Sequence, residues 1–580
     1  MTTRVATRAP AGPARPPALR VDGERVLLAV VTVYVAALCA LPLLRLLSEA
    51  VAPAGGEGTA ALVEEVFSSR FTRIALVNTL EASLGATVLS IVLGTGTALA
   101  VGLTDIRART AFVFLLILPL LIPAQISALA WLELIGPSSP LWRLPLIENP
   151  ARGGNPLYSR EGIILLMGIE HAPMVFLAVR AGLRTLPGEL VEAARASGIG
   201  PARATVGIVL PLLRPAIIAG GALAFVSAIG NFGVPALLGI PGRYTMLTTL
   251  IYQRLNGFGP SVLGEVAVLA FVLALLAAAG LALQAIAKRR GRLALDRTSR
   301  PLAPFTLGPW RPVVETALGG LLAVIAILPL LALVSTSLIQ AIGVPLTPGT
   351  ATLEHYRDVL FDNDATRRAF VNSFALAGAA AVATGAIAVP IAFLAVRRRS
   401  RVARLLDGVA DAPFALPGIV LAIACILVYL RPLPVLDVSL YNTAWIILVA
   451  YLGRFLAVGL RPAAAGMESL DPAQEEAAQI CGAGALKRLR EIVLPTVAPT
   501  AAAGALLVFL LAVNELTVSA LLWSTGNETL GVVVFSLYDE GNATAAAAVA
   551  VLSVAATLAV AALASLVARR LPHGVLPWQA

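Results

Sequence analysis

The residues of this chain that could do work are few and fall into two kinds. The first is a short polar block that occurs twice. One copy is Glu192-Ala193-Ala194-Arg195-Ala196-Ser197-Gly198, closed by Leu210-Pro211; the other is Glu476-Ala477-Ala478-Gln479-Ile480-Cys481-Gly482, closed by Leu494-Pro495. In each, the glycine comes 6 residues after the glutamate and the proline 19 after it, and the copies lie 284 residues apart. The second kind is a polar or charged side chain inside an apolar stretch: Glu170, Asn231, Arg454 and Glu515. Such groups are expensive in lipid and mark ion or substrate paths. Neither kind makes or breaks bonds. The three histidines (His171, His355, His573) are scattered. The three cysteines (Cys39, Cys425, Cys481) have neither disulfide-framework nor metal-ligand spacing and read as small packing residues. No catalytic residue, bound cofactor or metal is expected.

The elements that must position these residues are membrane helices. The chain has 580 residues, 58% of them hydrophobic and 13% charged, which is too apolar for a soluble protein of that length. Apolar runs of 18 or more residues recur, each long enough to cross the hydrocarbon core. Transmembrane β-strands would alternate apolar and polar residues, and these runs do not. The fold class is an all-α polytopic membrane protein. Twelve spans are expected, at about 26–47, 75–103, 111–136, 162–180, 214–239 and 261–287, then 313–338, 371–396, 405–430, 443–460, 498–523 and 543–568.

The spans form two homologous six-helix halves. Asn78-Thr79 and Asn372-Ser373 open spans 2 and 8, and Pro119 and Pro123 match Pro413 and Pro417, all at an offset of 294. From the polar blocks onward the offset is 284, so a ten-residue difference lies in the loop after span 3. The first unit is 26–287, with its polar loop at 181–213. A basic, proline-bearing linker (288–312) leads to the second unit, 313–568, with its loop at 461–497. Residues 1–25, rich in Arg, Pro and Ala, read as a disordered cytoplasmic tail rather than a signal peptide; 569–580 is a second tail.

Charge sets the orientation. With the N-terminus inside, inner segments hold 29 of the 43 Lys and Arg residues and outer loops hold 11. The positive-inside rule then puts both termini and both polar loops in the cytoplasm. The Lys288-Arg289-Arg290 and Arg397-Arg398-Arg399 clusters become topology anchors against anionic lipid. No nucleic-acid partner is expected.

Taken physically, each block is two short helices meeting at an angle. Ala-rich sequence with Glu and Arg forms helix readily, Gly198 and Gly482 suit a turn needing positive φ, and Pro201 can start the next helix. The pattern resembles the cytoplasmic "EAA" loop of permease subunits of bacterial ABC importers. That resemblance implies a fold like the type I importers. It assigns coupling to a separate ATPase to Glu192, Ala193, Ala194 and Gly198, and to Glu476, Ala477, Ala478 and Gly482. Two docking loops on one chain imply two ATPase copies. The family also brings substrate on a periplasmic or lipid-anchored binding protein, and places the permease in the bacterial cytoplasmic membrane. No Gly-Lys pair occurs in the chain, so it lacks the usual phosphate loop and ATP is expected to act on the partner.

Asn231 and Glu515 are equivalent at the 284 offset, each in the span that follows a polar loop, and are expected to face the translocation pathway. Glu170 and Arg454 are also equivalent, and are expected to meet near the pseudo-twofold axis as an ion pair or as facing charges. Asn231-Phe232-Gly233-Val234-Pro235 and Glu515-Leu516-Thr517-Val518-Ser519 further resemble fused permeases of ferric-iron importers. Thiamine, phosphonate and polyamine permeases share this architecture, and no tyrosine or carboxylate cluster spells out iron coordination. A twelve-span secondary transporter is the rival from another class. It would have no use for two polar docking loops. A membrane enzyme would need a catalytic constellation that the sequence does not display.

Overall fold

The structure, a computed structural model, describes residues 23–52, 59–139, 154–290, 305–398, 400–432 and 437–568. Most of both expected tails and of the linker lies outside these residues. Among the described residues, ten helices are long and apolar enough to cross a membrane, and two further helix pairs are sharply bent, giving up to twelve spans.

The duplication is visible helix by helix. Span 2 (Arg70–Leu103) and span 8 (Asp364–Arg397) begin and end 294 positions apart. The helix Ala124–Ile135 and its counterpart Gly418–Tyr429 keep that offset. Span 4 (Arg160–Arg184) and span 10 (Ala444–Ser469) begin 284 positions apart. The short helices Gly188–Ala196 and Pro472–Ile480, then Pro201–Ala204 and Ala485–Arg488, keep that shift at both ends.

Spans 3 and 9, expected at about 111–136 and 405–430, are not continuous helices. Each is broken, Arg109–Leu121 turning by 105° into Ala124–Ile135 and Arg401–Ala415 by 109° into Gly418–Tyr429. Proline is the cause. Ile122 and Leu416, each preceding a proline, are extended (ψ 129° and 152°), because the proline ring clashes with a helical residue before it. Spans 5 and 11 also end earlier than expected. Their helices stop at Gly230 and Val513, and the stretches expected to be outer loops hold the helices Leu247–Phe258 and Leu530–Asp539. Thr79 and Ser373 explain why the openings of spans 2 and 8 match: their hydroxyls accept from Leu247 N–H and Leu530 N–H, each at 2.8 Å.

Packing crosses the sequence halves. Span 1 (Gly23–Val51) buries Val31, Val35 and Cys39 in one cluster with Ala388, Phe393 and Leu460 of the second half. Span 7 (Gly308–Ser337) buries Leu318 and Leu322 with Val101, Val113 and Phe176 of the first. Each half therefore lends its opening helix to the other. Small residues set the closest approaches elsewhere. A Cβ on Gly94 of span 2 would lie 2.6 Å from Ala172 O and 2.8 Å from Phe176 N of span 4, whereas one on Gly96 would meet nothing within 4 Å. Such small-residue contacts hold helices together where lipid supplies little hydrophobic drive. Gly94→Val should therefore sharply lower the yield of folded protein and its melting temperature in detergent, and Gly96→Val should change neither. Equal loss in both variants would contradict this packing.

Candidate functional site: two elbows and a centre of broken helices

Each polar block forms an elbow, with both elbows at the same end of the bundle. Gly198 (φ +78°) and Gly482 (φ +79°) make the turns. Gly198 N–H donates to Arg195 C=O and Ile199 N–H to Ala194 C=O, both at 2.9 Å; Gly482 to Gln479 and Ala483 to Ala478 repeat this at 2.9 Å. That is the Schellman closure, in which only glycine takes the left-handed position without strain. Glu192, Ala193, Glu476 and Ala477 are exposed, Ala194 is buried and Ala478 half-buried. Ile480 is 87% exposed at the tip of the second elbow, an apolar side chain with little cover among the described residues.

The elbows share geometry and differ in what holds them. The first rests on apolar contacts, with Leu103, Val191 and Ala204 in one buried cluster. The equivalent positions in the second are Arg397, Glu475 and Arg488. There the Glu475 carboxylate lies 3.6 Å from Arg488 Nε and 3.9 Å from Arg397 Nε. The chain leading into spans 1 and 7 flanks the elbows. The Arg195 guanidinium sits 4.4 Å over the Phe305 ring. Nearby, Asp105 accepts from Leu307 N–H at 2.9 Å and pairs with Arg311; these contacts hold its carboxyl below the usual carboxylate range. At the second elbow Arg398 pairs with Glu24 at 3.0 Å.

From each elbow a continuous helix leads inward, Pro201–Gly230 in span 5 and Ala485–Val513 in span 11, and each stops at a polar residue. Asn231 Oδ1 accepts from Val234 N–H at 3.1 Å. Glu515 Oε2 accepts from Val518 N–H at 2.8 Å. Both side chains thus cap the next helical turn from the same position of the repeat. Their remaining polar atoms reach spans 4 and 10. Asn231 Nδ2 donates to Glu170 Oε2 at 2.8 Å, and Arg454 Nε lies 3.7 Å from Glu515 Oε1. The meeting of Glu170 and Arg454 expected near the pseudo-twofold axis, as an ion pair or as facing charges, gives way to two pairs, one within each half. The positions are equivalent, as the sequence indicated, but each finds its partner at the break of its own half. Asn231 and Glu515 are 7% and 8% exposed, so in this conformation neither faces open water.

The breaks of spans 3, 5, 9 and 11 gather around this point. Arg454 donates to Leu416 O at the span 9 bend (3.3 Å). Gln125, just past the span 3 bend, donates to Asn514 O at the span 11 break (3.2 Å). A Cβ on Gly230 would lie 3.2 Å from Pro417 Cα, and one on Gly233 2.8 Å from Gln125 N, so the backbones nearly touch. Asn514 itself donates to Thr557 at 2.8 Å and accepts from Ser553. Gln125, Ser553 and Thr557 carried no signal in the sequence beyond being polar in apolar runs. Glu475 and Arg488 looked like ordinary loop charges, and Arg397, expected to be a lipid-facing topology anchor, lies beside Glu475 instead.

Residues 86–292 and 385–573 each match the family described as "Binding-protein-dependent transport system inner membrane component". The chain is 27% identical over 546 residues to a Sinorhizobium fredii protein named "Probable ABC transporter permease protein", covering 93% of this chain and 94% of that one. It is 27% identical over 498 residues to an Fe(3+)-transport system permease protein of Haemophilus influenzae, 84% of this chain and 88% of that one. To a ferric transport system permease protein of Actinobacillus pleuropneumoniae it is 26% identical over 453 residues, 75% of this chain and 62% of that one.

Two predictions come from the site. Arg454→Ala leaves a buried carboxylate unpaired and should cost about 3–5 kcal/mol, and Arg454→Ala with Glu515→Ala should cost less than the sum of the singles. A double-mutant cycle by denaturant titration in micelles reads this, and strict additivity would contradict the pairing. At the second elbow, Glu475→Ala leaves the buried Arg488 guanidinium without its carboxylate, removes one partner of the half-buried Arg397, and should depress transport. The triple change Arg397→Leu, Glu475→Val and Arg488→Ala copies the first elbow's apolar support and should restore it. A triple variant as impaired as the single one would show that the charges do more than hold the elbow.

Proposed function

This chain belongs to the family of binding-protein-dependent transport system inner membrane components, and from that premise we propose that it is the fused permease of an ATP-driven importer of ferric iron. It is a membrane-spanning transport subunit with two homologous halves. The observation that carries the reading is the pair of elbows. They match in register, in closing hydrogen bonds and in the φ of their glycines, and their outer surfaces are exposed. A duplicated chain keeps two copies of one exposed geometry when two copies of one partner seat on it.

In this reading two ATPase subunits dock on the elbows, at Glu192, Ala193, Ala194 and Gly198 and at Glu476, Ala477, Ala478 and Gly482. ATP is hydrolysed on those partners. The excess of Lys and Arg, 29 inner against 11 outer, supports cytoplasmic elbows and termini. A binding protein delivers substrate to the opposite face. Closure of the ATPases moves the elbows, and the helices Pro201–Gly230 and Ala485–Val513 carry that movement to the breaks at Asn231 and Glu515. Those residues, with Glu170 and Arg454, line the path once the breaks part. Support for iron comes from the relatives named as Fe(3+)- and ferric-transport permeases. The secondary-transporter reading is disfavoured because both family matches fall on the elbow-bearing segments.

Coexpression with a cognate ATPase and binding protein should yield a stable assembly with two ATPases per permease, read by native mass. Removing residues 188–204 and 472–488 should abolish both the assembly and uptake of labelled ferric iron, while the shortened chain still inserts in the membrane. Uptake that persists without the elbows, or that follows the proton gradient and not ATP, would overturn the reading.

A further inference from the structure

A cavity of about 480 Å³ opens at the end of the bundle remote from the elbows, between the two halves. Its walls include Glu133 from the end of span 3, Tyr158 at the start of span 4, Leu237 of the turn after the Asn231 break, and Phe535, Tyr538 and Asp539 of the helix Leu530–Asp539. Both charged side chains among its described lining residues are acidic. Glu133 is only 6% exposed. One of its oxygens accepts from the Thr336 hydroxyl at 2.9 Å, and no cation pairs with it among the described residues. A buried carboxylate without a positive partner is costly. Across the cavity, the Tyr158 and Tyr538 hydroxyls lie 2.8 Å apart, one from each half.

The repeat argues that these groups are not there for the fold. At the equivalent offsets, Glu133 corresponds to Leu427, Tyr158 to Asn442, Tyr538 to Arg254 and Asp539 to Leu255. The other half builds the same elements without this chemistry, and its Arg254 is taken up by Glu265 at 3.5 Å. On the inner side the cavity ends at aromatic rings. Phe535 packs against Phe232 and Tyr252 at centroid distances of 6.1 and 5.9 Å, and Phe232 directly follows Asn231. A cargo held here would rest one aromatic layer from the capped breaks.

We infer that this cavity is a receiving site for ferric ion, with Glu133, Tyr158 and Tyr538 as oxygen donors and Asp539 at its mouth. Hard, highly charged cations favour oxygen ligands, and phenolate is a recognised iron donor. Each tyrosine releases its hydroxyl proton to water as its oxygen binds the metal. The acidic lining repels anionic cargo. This inference rests on the iron reading above and adds where the cargo is first held.

The test uses the full chain in nanodiscs with ferric nitrilotriacetate as probe. Tyrosinate bound to ferric ion absorbs visible light by charge transfer, so the unsubstituted protein should gain a visible band on titration. Tyr158→Phe with Tyr538→Phe should abolish that band, and Glu133→Gln should weaken binding by tenfold or more. The same variants in the assembled transporter should cut iron uptake by tenfold or more while the ATPase still copurifies, which shows the fold intact. If the band is absent, or survives the double tyrosine change, or if uptake is unaltered while the unsubstituted transporter imports iron, the receiving site is wrong and the iron reading stands. If the unsubstituted transporter imports no ferric iron, the iron reading itself falls and takes this site with it.

Discussion

A backbone that leaves the helix inside a membrane must find its hydrogen-bond partners within the protein, because lipid offers none. Among the described residues this chain leaves the helix four times near its centre, at Ile122-Pro123, Asn231-Phe232, Leu416-Pro417 and Asn514–Val518. Much of the remaining architecture answers that constraint. Asn231 and Glu515 restart the chain as caps. Gln125 and Arg454 take up carbonyls freed at the breaks. Spans 1 and 7 pack against the opposite half. Two of the breaks are joined directly to the helices that rise from the elbows, Pro201–Gly230 and Ala485–Val513.

Duplication has preserved geometry more strictly than chemistry. Positions 170 and 454 face 231 and 515 in both halves, yet one pair is carboxylate with amide and the other guanidinium with carboxylate. The elbow supports at 103, 191 and 204 are apolar, and those at 397, 475 and 488 are ionic. A backbone frame constrains where a side chain goes, and several chemistries can satisfy the same spot. The two halves therefore present one backbone plan with different electrostatics.

Much of this was legible in the sequence, for identifiable reasons. Apolar runs with a hydrocarbon-sized length give the helices. Identical spacing from Glu192 to Pro211 and from Glu476 to Pro495 gives the elbows, because the Schellman turn needs glycine at one place. Pro119, Pro123, Pro413 and Pro417 repeat at one offset within spans 3 and 9, and the repeat itself marks no break there. Composition alone does not distinguish a proline tolerated in a helix from one that ends it. Glu170 and Arg454 were recognised as equivalent, but symmetry gives correspondence and not contact; their partners lie 61 residues on in each half, at breaks that only tertiary packing creates. Tyr158 and Tyr538 are 380 residues apart, so no local pattern could have joined them.

The central claim is that elbow and break move as one body along each connecting helix. Pulsed electron-resonance distances test it most directly. One spin-label pair would sit on the elbows at Ala196 and Ile480, and a second would span the centre from span 5 to span 9, with the exposed Cys481 replaced and the ATPases and binding protein present. The account predicts that trapping the ATPases with a non-hydrolysable nucleotide shifts both distances together, and that release returns both. An elbow distance that changes while the central one stays fixed would contradict it.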